Sequence, residues 1–169
     1  MENKENILIK ELGASFYLNK AQETQKFRDF STAEYFINLA FLQKATFNDK
    51  INGLCIKSFI YHTNGELSKI YSVIRDIRKY LKKIEKIDKE LINSVIRSYF
   101  RFCKVLEKDD NRIYLISIVF KDIYFLIKKY NLSEKMEFTD LDNLEENVLK
   151  RIQENVSNNK FFYKFYVLS

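Results

Sequence analysis

Proline and tryptophan are absent from this chain of 169 residues, which holds three Gly, two Cys and one His. Average proline usage near ~5% would place roughly eight in such a length. Without proline, and with so little glycine, the chain lacks the turn residues that sheet-rich and loop-rich folds need. Three Gly cannot build a phosphate-cradling loop, so no cofactor is implied. Cys55 and Cys103 lie 48 residues apart in apolar helical patterns. That spacing argues against a disulfide framework or a zinc site and for two buried free thiols. The longest mainly apolar stretch, Ile113 to Phe120, contains Ser117 and ends at Lys121-Asp122, far short of the ~20 residues that span a bilayer. Met1 to Lys10 alternate charge with apolar groups and lack the apolar core of a secretory leader. A cytoplasmic protein is expected.

Hydrophobic residues make up 46% of the chain and charged residues 31%, the balance of a folded domain rather than a disordered one. One helical domain over residues 1–169 is expected. The chain has 19 Ile, 22 Lys and 15 Asn but five Ala. That bias reflects an AT-rich coding sequence, so the placement of lysines says more than their number. Residues 1–65 carry 8 basic and 7 acidic groups, residues 66–130 carry 16 and 9, and residues 131–169 carry 5 and 7. The basic excess is confined to the middle third.

Apolar residues recur at helical spacing almost throughout, which predicts an all-α fold. A first helix is expected from about Glu5 to Phe27. Ser31-Thr32-Ala33-Glu34 has the form of a capping box and starts a second helix running to about Thr46. Asn48-Asp49 would cap a third helix ending near His62, with Asn64-Gly65 as a left-handed stop. A fourth covers roughly Glu66 to Ile84, a fifth Asp88 to Glu107, and a sixth Arg112 to Tyr130. The sixth is apolar around nearly its whole circumference, which makes it the expected centre of the fold. Residues 131–139 read as a polar connector, residues from Thr139 or Asp140 to Val156 as a seventh, acidic helix, and residues 160–169 as an aromatic tail. Whether that tail pairs with a second chain is left open, and with it the oligomeric state.

The stretch Arg28 to Ala40 resembles the second helix of a tetratricopeptide repeat. That family places a small residue at two positions seven apart, matched here by Ala33 and Ala40. Ala21 and Tyr17 match a small and an aromatic position of the preceding helix. Lys20, Thr24 and Ala45 depart from the family's Leu, Tyr and Pro. The resemblance covers one helix pair around residues 17–50 and implies antiparallel pairs stacked as a bundle or short solenoid. The Ala pattern is also similar to HEPN-type ribonuclease domains. Their catalytic motif needs an Arg shortly before a His, whereas Lys57 precedes the sole histidine, His62.

The most ordered chemical feature is a basic face. At 100° per residue, Arg75, Arg78, Lys79, Lys82, Lys83, Lys86 and Lys89 fall within an arc of roughly 140° on the fourth helix. On the fifth, Arg97, Arg101, Lys104 and Lys108 line up within about 60°. A short bend joins the two helices, so both stripes are expected on one side or on flanking sides. Such a surface suits phosphates, an acidic protein or an anionic membrane surface, or is a solvated helix face. Membrane attachment is disfavoured because the opposite faces are committed to the core. Tyr71 borders the arc, where a base or an Arg could stack on it. His62 has no nucleophile or orienting carboxylate at a useful spacing. Asp109, Asp110, Asp140, Asp142, Glu145 and Glu146 sit at expected helix starts, where they complement the helix dipole rather than form a metal site. The expectation is a non-enzymatic binding module, an adaptor or small subunit of a larger assembly, whose basic face holds an anionic partner, either an acidic protein or nucleic acid. A direct nucleic-acid-binding protein, or an enzyme with a dispersed site, are the alternatives.

Overall fold

The computed structural model describes residues 12–106 and 114–130. Among them are six helices and no strand: α1 (Ala14–Lys26), α2 (Phe30–Leu42), α3 (Phe47–Thr63), α4 (Leu67–Leu81), α5 (Lys89–Leu106) and α6 (Tyr114–Tyr130). The all-α expectation holds. The chain divides into two compact units, Met1–Phe102 and Cys103–Ser169. The connector, the seventh helix and the aromatic tail expected from the sequence lie outside the described residues.

In the first unit, adjacent helices pack as pairs. α1 packs on α2 and α3 on α4, while α1 and α2 both lie against α3. Contacts at both ends of α3 and α4 fix their antiparallel sense. The Phe47 and Tyr80 rings are 5.7 Å apart at one end, and Lys69 Nζ lies 5.0 Å from the Tyr61 ring at the other. α1 runs alongside α3 in the same direction, with Ser15 Oγ donating to Asp49 at 3.3 Å and Gln22 to Asn52 at 3.4 Å. α5 meets α4 where the Tyr71 and Phe102 rings lie edge to face at 4.7 Å.

Small side chains set how closely these helices approach. Ala21, Ala33 and Ala40 are fully buried, as the spacing of the tetratricopeptide resemblance implies. Gly53 on α3 is tighter still. A Cβ there would lie 2.7 Å from the Phe41 ring and 3.1 Å from Ile37, both on α2. α3 buries Ile51, Gly53, Leu54, Cys55, Ile56, Ser58, Ile60 and Tyr61, which together cover most of its circumference. It is therefore α3 that occupies the middle of its unit. α6, expected to be buried by neighbours on several sides at the centre of the fold, leaves Phe125 61% and Ile118 40% exposed while burying Ile116, Val119, Phe120, Ile123 and Leu126. Apolar composition overstated its burial. α3 carries more polar groups but lies against three helices at once.

Several helix ends differ from their expected places. Leu12 and Gly13 are non-helical, and Gly13 is the extended N-cap of α1, so the first helix does not run through them from Glu5. At the start of α2 the cap is Asp29, whose carboxylate accepts from the Thr32 amide at 3.1 Å. The expected Ser31–Glu34 box does not form. Arg28 adopts a left-handed φ of 61°, which turns the chain two residues earlier than the Ser31 pattern suggests, and Glu34 instead accepts from the Tyr61 hydroxyl. α2 stops at Leu42. Thr46, expected as its last residue, is the N-cap of α3. A capping box joins the Thr46 hydroxyl and amide to Asp49. Gly65, at φ 70°, supplies the left-handed stop after α3. α4 ends at Leu81, one turn before Ile84.

Two substitutions test this pattern of caps by urea denaturation. Thr46→Ala is expected to lower stability by about 1 kcal/mol, and Ser31→Ala to change it by less than about 0.5 kcal/mol. Ala33→Leu, at the close approach of two helices, is expected to cost about 1–3 kcal/mol through overpacking.

Candidate anion-binding site

On α4, Ile70, Val73, Ile74 and Ile77 turn inward, and this three-and-four spacing forces Arg75, Arg78 and Lys79 outward. All three are exposed. Lys82 caps the helix, and Lys83 and Lys86 follow in the turn, also exposed. The basic arc is therefore helical only as far as Lys79. Beyond Leu81 the chain leaves the helix, and its lysines follow the turn instead. Arg75 pairs at 3.7 Å with Asp76, the one carboxylate within α4. Lys50 Nζ lies 5.6 Å from the Tyr80 ring and 5.9 Å from Phe47, and Lys83 lies 5.8 Å from Phe47. Both cations thus sit over exposed aromatic surface at the end of the α3–α4 pair.

Two of the α5 cations, Arg97 and Arg101, border a hollow that no α4 cation lines. Ile92, Val95, Ile96 and Tyr99 are buried, and Arg97 and Arg101, one turn apart, emerge beside α3 and α1. They border a cleft of about 220 Å³. From α1 come Gln22, Gln25 and Lys26, and from α3 Asn52, Cys55, Ile56 and Phe59. Ser94 joins the two arginines on the α5 side. None of the α4 cations lines this cleft. Lys104 is an exposed residue of α5, and Lys108 lies outside the described residues.

Arg97 is exposed and Arg101 half-buried. The Arg101 guanidinium lies 5.1 Å from the centre of the Phe59 ring. Burial holds its pKa below the ordinary value, an effect that Cys55 opposes and Arg97 adds to. Three cations and several neutral donors meet in this cleft, and among the described residues no carboxylate lines it. Chemically, that arrangement is prepared for negative charge.

The sequence pointed to Arg97 and Arg101 but not to Lys26, Gln22, Gln25, Asn52 or Phe59. The available signal was the polar residue at positions where an apolar stripe continues. Gln22 follows buried Ala21, and Asn52 follows buried Ile51. Nothing in one helix's periodicity shows that the polar edges of α1, α3 and α5 meet.

Other reactive groups are held quiet. Cys55 and Cys103 are buried free thiols, as expected, and burial pushes both up to about 12. The Tyr61 hydroxyl donates to Glu34. Burial first and the carboxylate second raise its pKa, which keeps the phenol protonated and a weak acid. Lys57, held below its ordinary value by burial, donates to Asn38 at 2.9 Å. Tyr71 is half-buried with Phe102 against its ring. His62 lies in the last turn of α3. Among the described residues no group of three or more His, Cys, Asp or Glu is placed to hold a metal ion, and no helix is long and apolar enough to cross a membrane.

Comparison with known proteins gives no match, whether to a family model, a curated protein or a solved structure. The helices pack in adjacent pairs, and the tetratricopeptide resemblance is carried no further than that.

The thiols supply a test of the packing. A disulfide reagent at pH 8 is expected to leave both unreacted until the protein is unfolded, because the thiolate is the nucleophile. Each thiol binds its proton more tightly folded than unfolded. Its stabilising contribution is therefore whole below the unfolded value of 9.0 and is lost as pH rises toward about 12. Thermal melts across that range should show a falling midpoint.

Proposed function

We propose that the protein is a non-enzymatic binding module, an adaptor or small subunit of a larger assembly, which holds an acidic protein on the cations of α4 and α5. The observation that carries this reading is the outward set Arg75, Arg78, Lys79, Lys82, Lys83 and Lys86, interrupted only by Asp76 and Glu85. Like charges this dense repel one another, and interleaved acids would relieve that strain. Asp76 answers Arg75; an anionic partner would lower the repulsion among Lys79, Lys82, Lys83 and Lys86, and rigid helix pairs hold the cations in register for it. We further read the pairs as a short tetratricopeptide-like solenoid, supported by the buried small residues Ala21, Ala33 and Ala40. Two free thiols suit a reducing, cytoplasmic setting.

An acidic protein is favoured over single-stranded nucleic acid by what surrounds the cations. The aromatic rings beside them are engaged: Tyr71 by Phe102, Phe59 by Arg101, and Phe47 and Tyr80 by each other and by lysines. Strand binders instead present open ring faces to bases.

The test is fluorescence anisotropy with labelled oligoglutamate and with single- and double-stranded oligonucleotides of equal charge, over a salt series. Oligoglutamate is expected to bind the wild type at least as tightly as the oligonucleotides. It should lose about tenfold or more in affinity for Arg78→Glu/Lys79→Glu/Lys82→Glu, once circular dichroism shows that variant folded. Equal binding by the variant would remove the α4 face from this role. Oligonucleotides binding tenfold tighter than oligoglutamate, with a steep salt dependence, would replace the protein partner with nucleic acid.

A further inference from the structure

We infer that the cleft between α1, α3 and α5 is a subsite for a phosphate monoester dianion, presented on a phosphorylated serine or threonine of the partner. The inference rests on the proposed function for its premise of a protein partner, and adds the chemistry of the group received.

Charge is the first argument. Lys26, Arg97 and Arg101 border one cleft with no carboxylate among its described lining residues. A side-chain carboxylate would answer one of those three cations. A phosphomonoester carries about −1.5 to −2 charges at neutral pH and three acceptor oxygens, so it matches the site more fully.

Preorganisation is the second. The Arg101 guanidinium is half-buried and lies over the Phe59 ring at 5.1 Å, which limits its freedom before any ligand arrives. Its planar fork suits two oxygens of one phosphoryl group. Arg97 is exposed one turn away on the same face, free to approach a third oxygen. Partial desolvation with no acid among the described lining residues leaves Arg101 short of a counter-charge there, and an entering anion supplies it.

Size and surroundings choose between sources of phosphate. A volume near 220 Å³ falls below the ~300 Å³ at which pockets begin to enclose whole small molecules. It admits an end group with the rest of the ligand outside. Among the described residues, Phe59 is the one aromatic side chain lining the cleft. Its ring is covered by Arg101 and met by the Phe30 ring at 6.2 Å. A nucleobase following its phosphate would find no ring to stack on, whereas a peptide needs none.

The experiment is anisotropy with a labelled ten-residue peptide carrying one phosphoserine, beside the same peptide with Ser or Glu at that position. Inorganic phosphate serves as competitor and a 5′-phosphorylated oligonucleotide as the other source. The phosphopeptide is expected to bind about tenfold or more tightly than either analogue, and phosphate should compete with it. Arg97→Gln, at an exposed position, should erase that preference, while oligoglutamate, held mainly by the more numerous α4 cations, should lose no more than about twofold. Arg101→Lys keeps the charge but not the fork, and should remove most of the preference. Equal binding of the phosphoserine and Ser peptides, or an undiminished preference in Arg97→Gln, would overturn the subsite. If oligoglutamate still bound through α4, the proposed function would survive that result. An oligonucleotide binding tighter than the phosphopeptide, and losing that affinity in Arg97→Gln, would overturn the assignment to a protein. Failure of every probe to bind would remove both readings.

Discussion

Helix α3 has to be packed by α1, α2 and α4 at the same time, and the rest of the first unit follows from that demand. Three helices can crowd one axis only where side chains are small. In a chain with five Ala and three Gly, the small residues are concentrated at these contacts. Ala21, Ala33, Ala40 and Gly53 lie at the buried contacts of α1, α2 and α3. Larger Ile side chains then fill the remaining space from α3 and α4. The same geometry leaves the polar edges of α1, α3 and α5 facing a common hollow, so the cleft is a by-product of how tightly the core is assembled.

Cations divide between two environments on this scaffold. Those of α4 are wet, and each gains little from any single neighbour, because water screens exposed charge strongly. Arg101 is half-dry and stacked on an aromatic ring, where charge interacts more strongly and a missing counter-ion matters more. A partner that uses both would be drawn in by the first and held in orientation by the second. Steering and grip are then functions of different residues.

The fold class and most helices were legible because each depends on periodicity, which one sequence displays directly. The stop at Asn64-Gly65 was legible for a similar reason: a left-handed residue after a helix selects glycine. The start of α2 was not. Arg28 adopts a left-handed conformation that its side chain does not advertise, and that turn makes Asp29 the cap. Ser31 and Glu34 matched a capping pattern, yet tertiary packing sent Glu34 to Tyr61. The basic stripes were half legible. Spacing placed Arg97 and Arg101 on one face, but where that face points depends on α1 and α3, which lie far away in sequence. Lys82, Lys83 and Lys86 continued the arc only on paper, because α4 ends at Leu81.

Asp49 carries a consequence for the order in which structure opens. One of its oxygens accepts from the Thr46 amide and hydroxyl at 2.9 and 2.7 Å, and the other accepts from Ser15 at 3.3 Å. A single carboxylate therefore starts α3 and also ties it to the first turn of α1. Fraying at the head of α3 loosens the anchor of α1, and departure of α1 removes a restraint on the cap. The two helices share a latch, which makes their local opening one cooperative event. Amide exchange in the first turns of α1 and α3 then belongs to the same cooperative unit, although more than thirty residues separate them along the chain.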